Sequence, residues 1–181
     1  MPRLVALLRG INVGGHRRVP MAELRTLCTG LGFTDVATHV QSGNVVLTSR
    51  HGTGDAASRI AAAIAERFGF DVDVVARTAA EWKAYADANP FPAETAAEPG
   101  RVLLLVPRAP AADGCAEALT ARGRDGERFV AAGDALWAHF PRGVGSTKVT
   151  QAQIDRAVGS PSTARNATTV AALVAMLSGG A

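Results

Sequence analysis

Lysine is nearly absent from this chain: it occurs only at positions 83 and 148, so 17 of the 19 cationic side chains are arginines. With abundant alanine, this bias reads as genome base composition, and most surface arginines need no reason beyond solubility. Cysteine is scarce. Cys28 and Cys115 lie far apart and lack the Cys-x-x-Cys spacing of a redox or metal site, so both read as small buried hydrophobes in a reducing cytoplasm. Aromatics supply 5% of residues and do not interleave with the basic loops, as a single-strand stacking platform requires. The aromatic pattern of RNA-recognition modules is missing as well. No apolar run approaches the length of a membrane span, and Leu4 to Leu8 is too short for the core of a signal peptide. The expectation is a cytoplasmic protein with no membrane partner, for which nucleic acid is compatible with charge but not favoured.

Catalytic signatures are equally sparse. No His-x-x-x-His or paired-cysteine spacing supports zinc, and His39 and His139 fall inside expected strands. Acidic residues are scattered, with no pair placed for acid/base work. Ser42 has no assignable base and does not sit in Gly-x-Ser-x-Gly. No metal, cofactor or catalytic residue is assigned.

What the chain does contain is a globular pattern. Apolar residues make up 48% and the formal charge is only +3, enough for a core in one domain or two small ones. Leu4 to Leu8 is apolar without interruption and reads as a strand buried on both faces. Pro20 suits the start of a helix whose Met21, Leu24, Leu27, Cys28 and Leu31 share a face, with Gly30 or Gly32 ending it. Val36 to Val40 and Val45 to Leu47 read as strands around a tight turn at Gln41-Ser42-Gly43-Asn44. A second helix carries Ile60, Ile64 and Phe68 and stops at Gly69; Val72 to Val75 is a fourth strand. This order is the ferredoxin-like arrangement, over residues 1–76.

Residues 77–181 read as a related α+β subdomain with extra helices. A capping box at Thr78-x-x-Glu81 opens a helix that halts at Asn89-Pro90, and residues 92–100 read as a linker. Arg101 to Val106 is a buried strand, Asp113 to Arg122 a helix, and Arg128 to Ala132 with Ala135 to Phe140 a hairpin. A second capping box, Thr150-x-x-Gln153, opens another helix, and Val170, Leu173, Val174 and Leu177 mark the last one. No closing strand is evident. The fold class is therefore α+β: two ferredoxin-like halves in one compact unit, with mostly antiparallel sheets. The buried second faces of the strands are to be covered by the other half, by the surplus helices, or in a homodimer.

A sheet order of 4-1-3-2 brings the turn after strand one and the hairpin at 41–44 to the same edge. Arg9, Asn12, Gln41, Ser42 and Asn44 should then converge with the backbone amides of Gly14 and Gly15, a set suited to phosphate, carboxylate or nucleotide. The plainer reading is that the glycines merely allow the turn and Asn12 caps locally. Arg142-Gly143-Val144-Gly145-Ser146-Thr147-Lys148 has similar chemistry before the Thr150 helix, and either a solvated lysine or an anion contact accounts for Lys148. In Ser162 to Thr169, a third polar stretch, Arg165 needs its own argument and Asn166 or Thr168 is a candidate N-cap.

Leu7-Leu8-Arg9-Gly10-Ile11-Asn12-Val13-Gly14-Gly15, Val19-Pro20-Met21-Ala22-Glu23-Leu24, Gln41-Ser42-Gly43-Asn44-Val45, Asn89-Pro90-Phe91 and Thr163-Ala164-Arg165-Asn166 together resemble the bacterial domain-of-unknown-function family 1697. The resemblance implies two α+β subdomains and supplies no catalytic residue. Family members usually carry a tryptophan where this chain has Ala167, which puts an aromatic role there in doubt. Motifs on turns point to binding more than to packing.

The functional expectation is a phosphate or anionic small-ligand site at Arg9, Asn12, Gly14, Gly15, Gln41, Ser42 and Asn44, with Lys148, Arg165 and Asn166 as further candidates. Two alternatives stand beside it. One is an enzyme on a phosphorylated or nucleotide-like substrate, with Lys148 or Arg165 stabilising developing charge. The other is a nucleic-acid or protein interaction module on the basic edge.

Overall fold

The computed structural model describes residues 1–179 and shows an α+β protein built on two four-stranded antiparallel sheets. The chain divides into two compact units, Met1–Lys83 with the C-terminal stretch from Ala172, and Ala84–Ala171. Its first elements are β1 (Arg3–Leu8), α1 (Met21–Gly30), β2 (Thr34–His39), β3 (Asn44–Thr48), α2 (Thr53–Phe68), β4 (Val74–Thr78) and α3 (Ala79–Asp87). The first sheet has the order β2-β3-β1-β4, the 4-1-3-2 order expected.

β1 is central because it is apolar on both faces. Leu4 lies opposite Leu47 of β3 and Thr78 of β4, and Leu7 lies opposite Asn44. One face of the sheet, with Leu4, Ala6, Leu8, Val45 and Leu47, packs under Leu24 and Cys28 of α1 and Ile60 and Ile64 of α2. Each fully buried Leu or Ile there contributes about 1.5–3 kcal/mol. Val5, Leu7 and Val46 on the opposite face are also buried. α2 stops where glycine can turn the chain: Gly69 adopts φ 77° and returns its N–H to the Ala65 carbonyl. Several strand boundaries shift from expectation, and at two of those in this sheet expected strand residues are left out. Val40 leaves β2 with φ 50°, and β4 starts at Val74, where its pairing with β1 begins.

The remaining elements are α4 (Pro92–Ala97), a 3₁₀ turn at Pro99–Arg101, β5 (Val102–Pro107), α5 (Cys115–Arg122), β6 (Arg128–Ala132), β7 (Ala135–His139), α6 (Gln151–Val158), β8 (Ser162–Asn166) and α7 (Ala167–Ser178). The second sheet runs β6-β7-β5-β8, and Leu103, Leu105, Leu136 and Ala138 form a core with Leu119, Ile154 and Val158. Two expectations are corrected. Residues 92–100 are not a linker, because Pro92 begins α4 and the Asn89 side chain joins the turn, donating to Thr95 Oγ1 and accepting from the Phe91 N–H. The second half does have a closing strand. β8 pairs with β5 in antiparallel register from Ser162↔Pro107 to Asn166↔Leu103, and its polar side chains are satisfied locally: Ser162 Oγ donates to Asp155 Oδ1 at 2.8 Å.

Both capping boxes form. Thr78 and Glu81 exchange hydrogen bonds at the start of α3, and Thr150 and Gln153 do so at the start of α6. Among the described residues no helix is long and apolar enough to cross a membrane.

Candidate site at the β1–α1 loop and the β2–β3 hairpin

The loop between β1 and α1 is a small hairpin. The Asn12 N–H donates to the Arg17 carbonyl at 3.1 Å, and the His16 N–H to the Val13 carbonyl at 3.2 Å. Gly14 and Gly15, both at positive φ, form its two-residue turn, a geometry that a side chain would strain.

Asn12 holds this loop to the next one. With φ 55°, it accepts at Oδ1 from the Val19 N–H (2.9 Å) and donates from Nδ2 to the carbonyls of Val19 (3.0 Å) and Gln41 (2.8 Å). Asn44 organises the β2–β3 hairpin from inside. It is fully buried and donates from Nδ2 to the His39 carbonyl at 3.0 Å and to Ser42 Oγ at 2.9 Å. Gly43 lets the hairpin reach β1, since its carbonyl accepts from the Leu8 N–H at 2.8 Å. A Cβ on Gly43 would lie 2.7 Å from Leu8 Cβ and 2.9 Å from Ile11 Cδ1.

Between these loops is a depression of about 360 Å³ lined by Asn12, Gly15, Arg18, Val19, Pro20 and Gln41. It lies where α1 begins, and Pro20 offers that helix no side-chain cap. Arg18 makes no hydrogen bond or ion pair among the described residues, which leaves a free cation at its edge. Three expected residues, Asn12, Gly15 and Gln41, therefore meet around this space. Gly14 is at the turn, while Ser42 and Asn44 bond within the hairpin. Arg9 turns toward β4: its N–H donates to the Asp73 carbonyl, and its Nη1 lies 3.7 Å from Asp73 Oδ2. Sequence reasoning missed Arg18, for which the adjacent arginine pair was the available signal.

The other expected residues belong to the second unit. Asn166 caps α7, accepting from the Thr169 N–H at 2.9 Å. Arg165 is buried on β8, donates to Thr163 Oγ1 and the Ala164 carbonyl, and has its pKa lowered to about 10 by loss of solvent. Lys148 is exposed beside a depression of its own. Among the described residues, no group of three or more His, Cys, Asp or Glu side chains is arranged to hold a metal ion.

A sequence model of the family described as "Protein of unknown function (DUF1697)" matches residues 1–137. The chain belongs to this family. The match covers both loops of the candidate site and stops before the Thr163–Asn166 motif. No curated protein matches the chain. Among solved structures, the fold is similar to that of the conserved bacterial protein SP0830 from Streptococcus pneumoniae. The TM-score is 0.69 at 25% identity, covering 97% of this chain and 98% of that one. The family's description names no function and that of the structural neighbour says only that it is a conserved bacterial protein, so function rests on this chain's own geometry.

Proposed function

We propose that the protein binds a small phosphate-bearing or carboxylate ligand in the depression between the β1–α1 loop and the β2–β3 hairpin. The observation that carries this reading is the meeting of Arg18, Gly15 and Gln41 at the start of α1, where the helix's first N–H groups favour an anion. Arg18 takes the charge-pairing role that spacing alone assigned to Arg9. Gln41 and the Gly15 backbone supply neutral donors. Asn12 is a positioning residue, because its amide is engaged in holding the walls together.

A thermal-shift series with inorganic phosphate, sugar phosphates, mononucleotides and dicarboxylates tests the reading. A ligand at a hundred times its dissociation constant stabilises by about 2.7 kcal/mol. Arg18→Ala should weaken binding by about tenfold or more, the value of one charge-assisted hydrogen bond. Equal responses from wild type and Arg18→Ala would remove the proposal.

A second reading, a macromolecular interface on the same edge, draws on Val13 and Val40. These are 69% and 55% exposed on the two joined loops, beside the exposed Arg17 and Arg18. Val40 is a β-branched residue held at φ 50°, a conformation that costs of order 1–3 kcal/mol and clusters at functional sites. Nucleic-acid binding there would fall steeply between 50 and 200 mM salt.

A further inference from the structure

We propose a second, separate anion site in the Ala84–Ala171 unit, formed by Arg122, Arg124, Lys148, Arg156 and Gln153, whose ligand is a compact polyphosphate such as the triphosphate group of a nucleotide. Two depressions adjoin here. One, of about 450 Å³, is lined by Ala121, Arg122, Gly123, Arg124, Lys148 and Gln153; the other, of about 200 Å³, shares Arg122 and Gln153 and adds Arg156. The cations come from four places: Arg122 at the end of α5, Arg124 in the loop after it, Lys148 in the loop before α6, and Arg156 in the last turn of α6. All four are exposed, and none of their side chains makes a hydrogen bond or ion pair among the described residues. No carboxylate lines either depression. Glu127 beneath them offsets one of the four charges at most, and the repulsion left among the others is relieved by an anion with several negative charges.

Two features make this a built arrangement. Gln153 Oε1 is held by the Thr150 N–H at 2.9 Å in the α6 capping box, so its amide orientation is fixed and its Nε2 donors are left over for the space it lines. Below the cations, Glu127 is 3% exposed and accepts from Thr147 Oγ1 at 2.5 Å and from the Asp125 N–H at 2.8 Å. One carboxylate thus ties the Lys148 loop to the Arg124 loop. Gly123 permits that closeness, because a Cβ there would lie 3.0 Å from Glu127 Oε2 and 3.2 Å from the Glu127 carbonyl oxygen.

The shape selects among polyanions. Arg122, Arg124 and Lys148 line one concavity and Arg156 the adjoining one, which suits a compact cluster of phosphates better than the extended backbone of a duplex. The absence of an aromatic from the lining leaves nothing for a base to stack on, so recognition stops at the phosphates.

The test is isothermal titration of the whole protein with sodium tripolyphosphate, using wild type, the Arg122→Ala/Lys148→Ala double variant, and Arg18→Ala. All three substitutions are at exposed positions, and circular dichroism confirms folding. The expected result is a wild-type site that weakens by about a hundredfold in the double variant, tenfold for each lost charge-assisted contact, and is retained in Arg18→Ala. Three results overturn the proposal: no wild-type binding at millimolar tripolyphosphate, full binding by the double variant, or binding lost only in Arg18→Ala. The last would leave the first-unit site standing alone. A double-stranded oligonucleotide that binds wild type without being displaced by tripolyphosphate would overturn the compact-ligand assignment.

Discussion

Asn12 donates from Nδ2 to the Gln41 carbonyl at 2.8 Å, and this hydrogen bond joins the loop after β1 to the hairpin between β2 and β3. Because Asn12 Oδ1 also accepts from Val19, one side chain spans both walls of the proposed site. Asn12→Ala leaves the Val19 N–H and two carbonyls without their partner. The expected loss is about 2 kcal/mol in urea unfolding, together with weaker ligand binding. Unchanged stability would mean that the loops are held by other contacts.

Gly43→Ala should destabilise by more than about 2 kcal/mol, since the new methyl meets Leu8 and Ile11 and the backbone is already at φ 75°. Gly54→Ala in α2 is the control. Nothing lies within 4 Å of a Cβ there, and the change should stabilise by about 0.5 kcal/mol. Denaturant midpoints of the two variants measure the contrast, and a Gly43→Ala protein as stable as wild type would show that the hairpin does not need its close approach to β1.

These two loops also show what a sequence can and cannot reveal. The helix stop at Gly69 and the capping boxes at Thr78 and Thr150 were legible because each depends on residues three or four positions apart. β8 was not: Ser162 to Asn166 is polar, and only its long-range pairing with β5 makes it a strand. α4 hid behind Pro92, which reads as a linker signal when the Asn89 contacts are unknown. At the site, topology brought Asn12, Gly15 and Gln41 to one edge. It could not say that Arg9 would turn to Asp73 and leave Arg18 as the free cation, because side-chain direction in a loop with several left-handed residues does not follow from spacing.

The Thr147 hydroxyl holds the Glu127 carboxyl below its usual range. A depressed carboxylate pKa contributes stability that is fully present above the unfolded value, near pH 4.3, and is lost as pH falls through the folded value. Thr147→Val should therefore be less stable than wild type above about pH 5. The gap should narrow as the solution is acidified, followed by melting temperature from pH 7 to pH 3. A constant gap would contradict the carboxylate's role.

Burial raises the Cys28 thiol to about 12 and pushes Cys115 upward too. Both thiols should resist Ellman's reagent in the native protein and react fully in guanidinium. Rapid native labelling would show that α1 or α5 opens readily.

The central claim is tested most directly by two-dimensional amide NMR during titration with the phosphate or carboxylate ligand giving the largest thermal shift. The account predicts saturable shifts at Gly15, Arg18, Val19, Met21 and Gln41 in wild type, and their loss or marked weakening in Arg18→Ala. Saturable shifts confined to other residues, or a full response from Arg18→Ala, would contradict it.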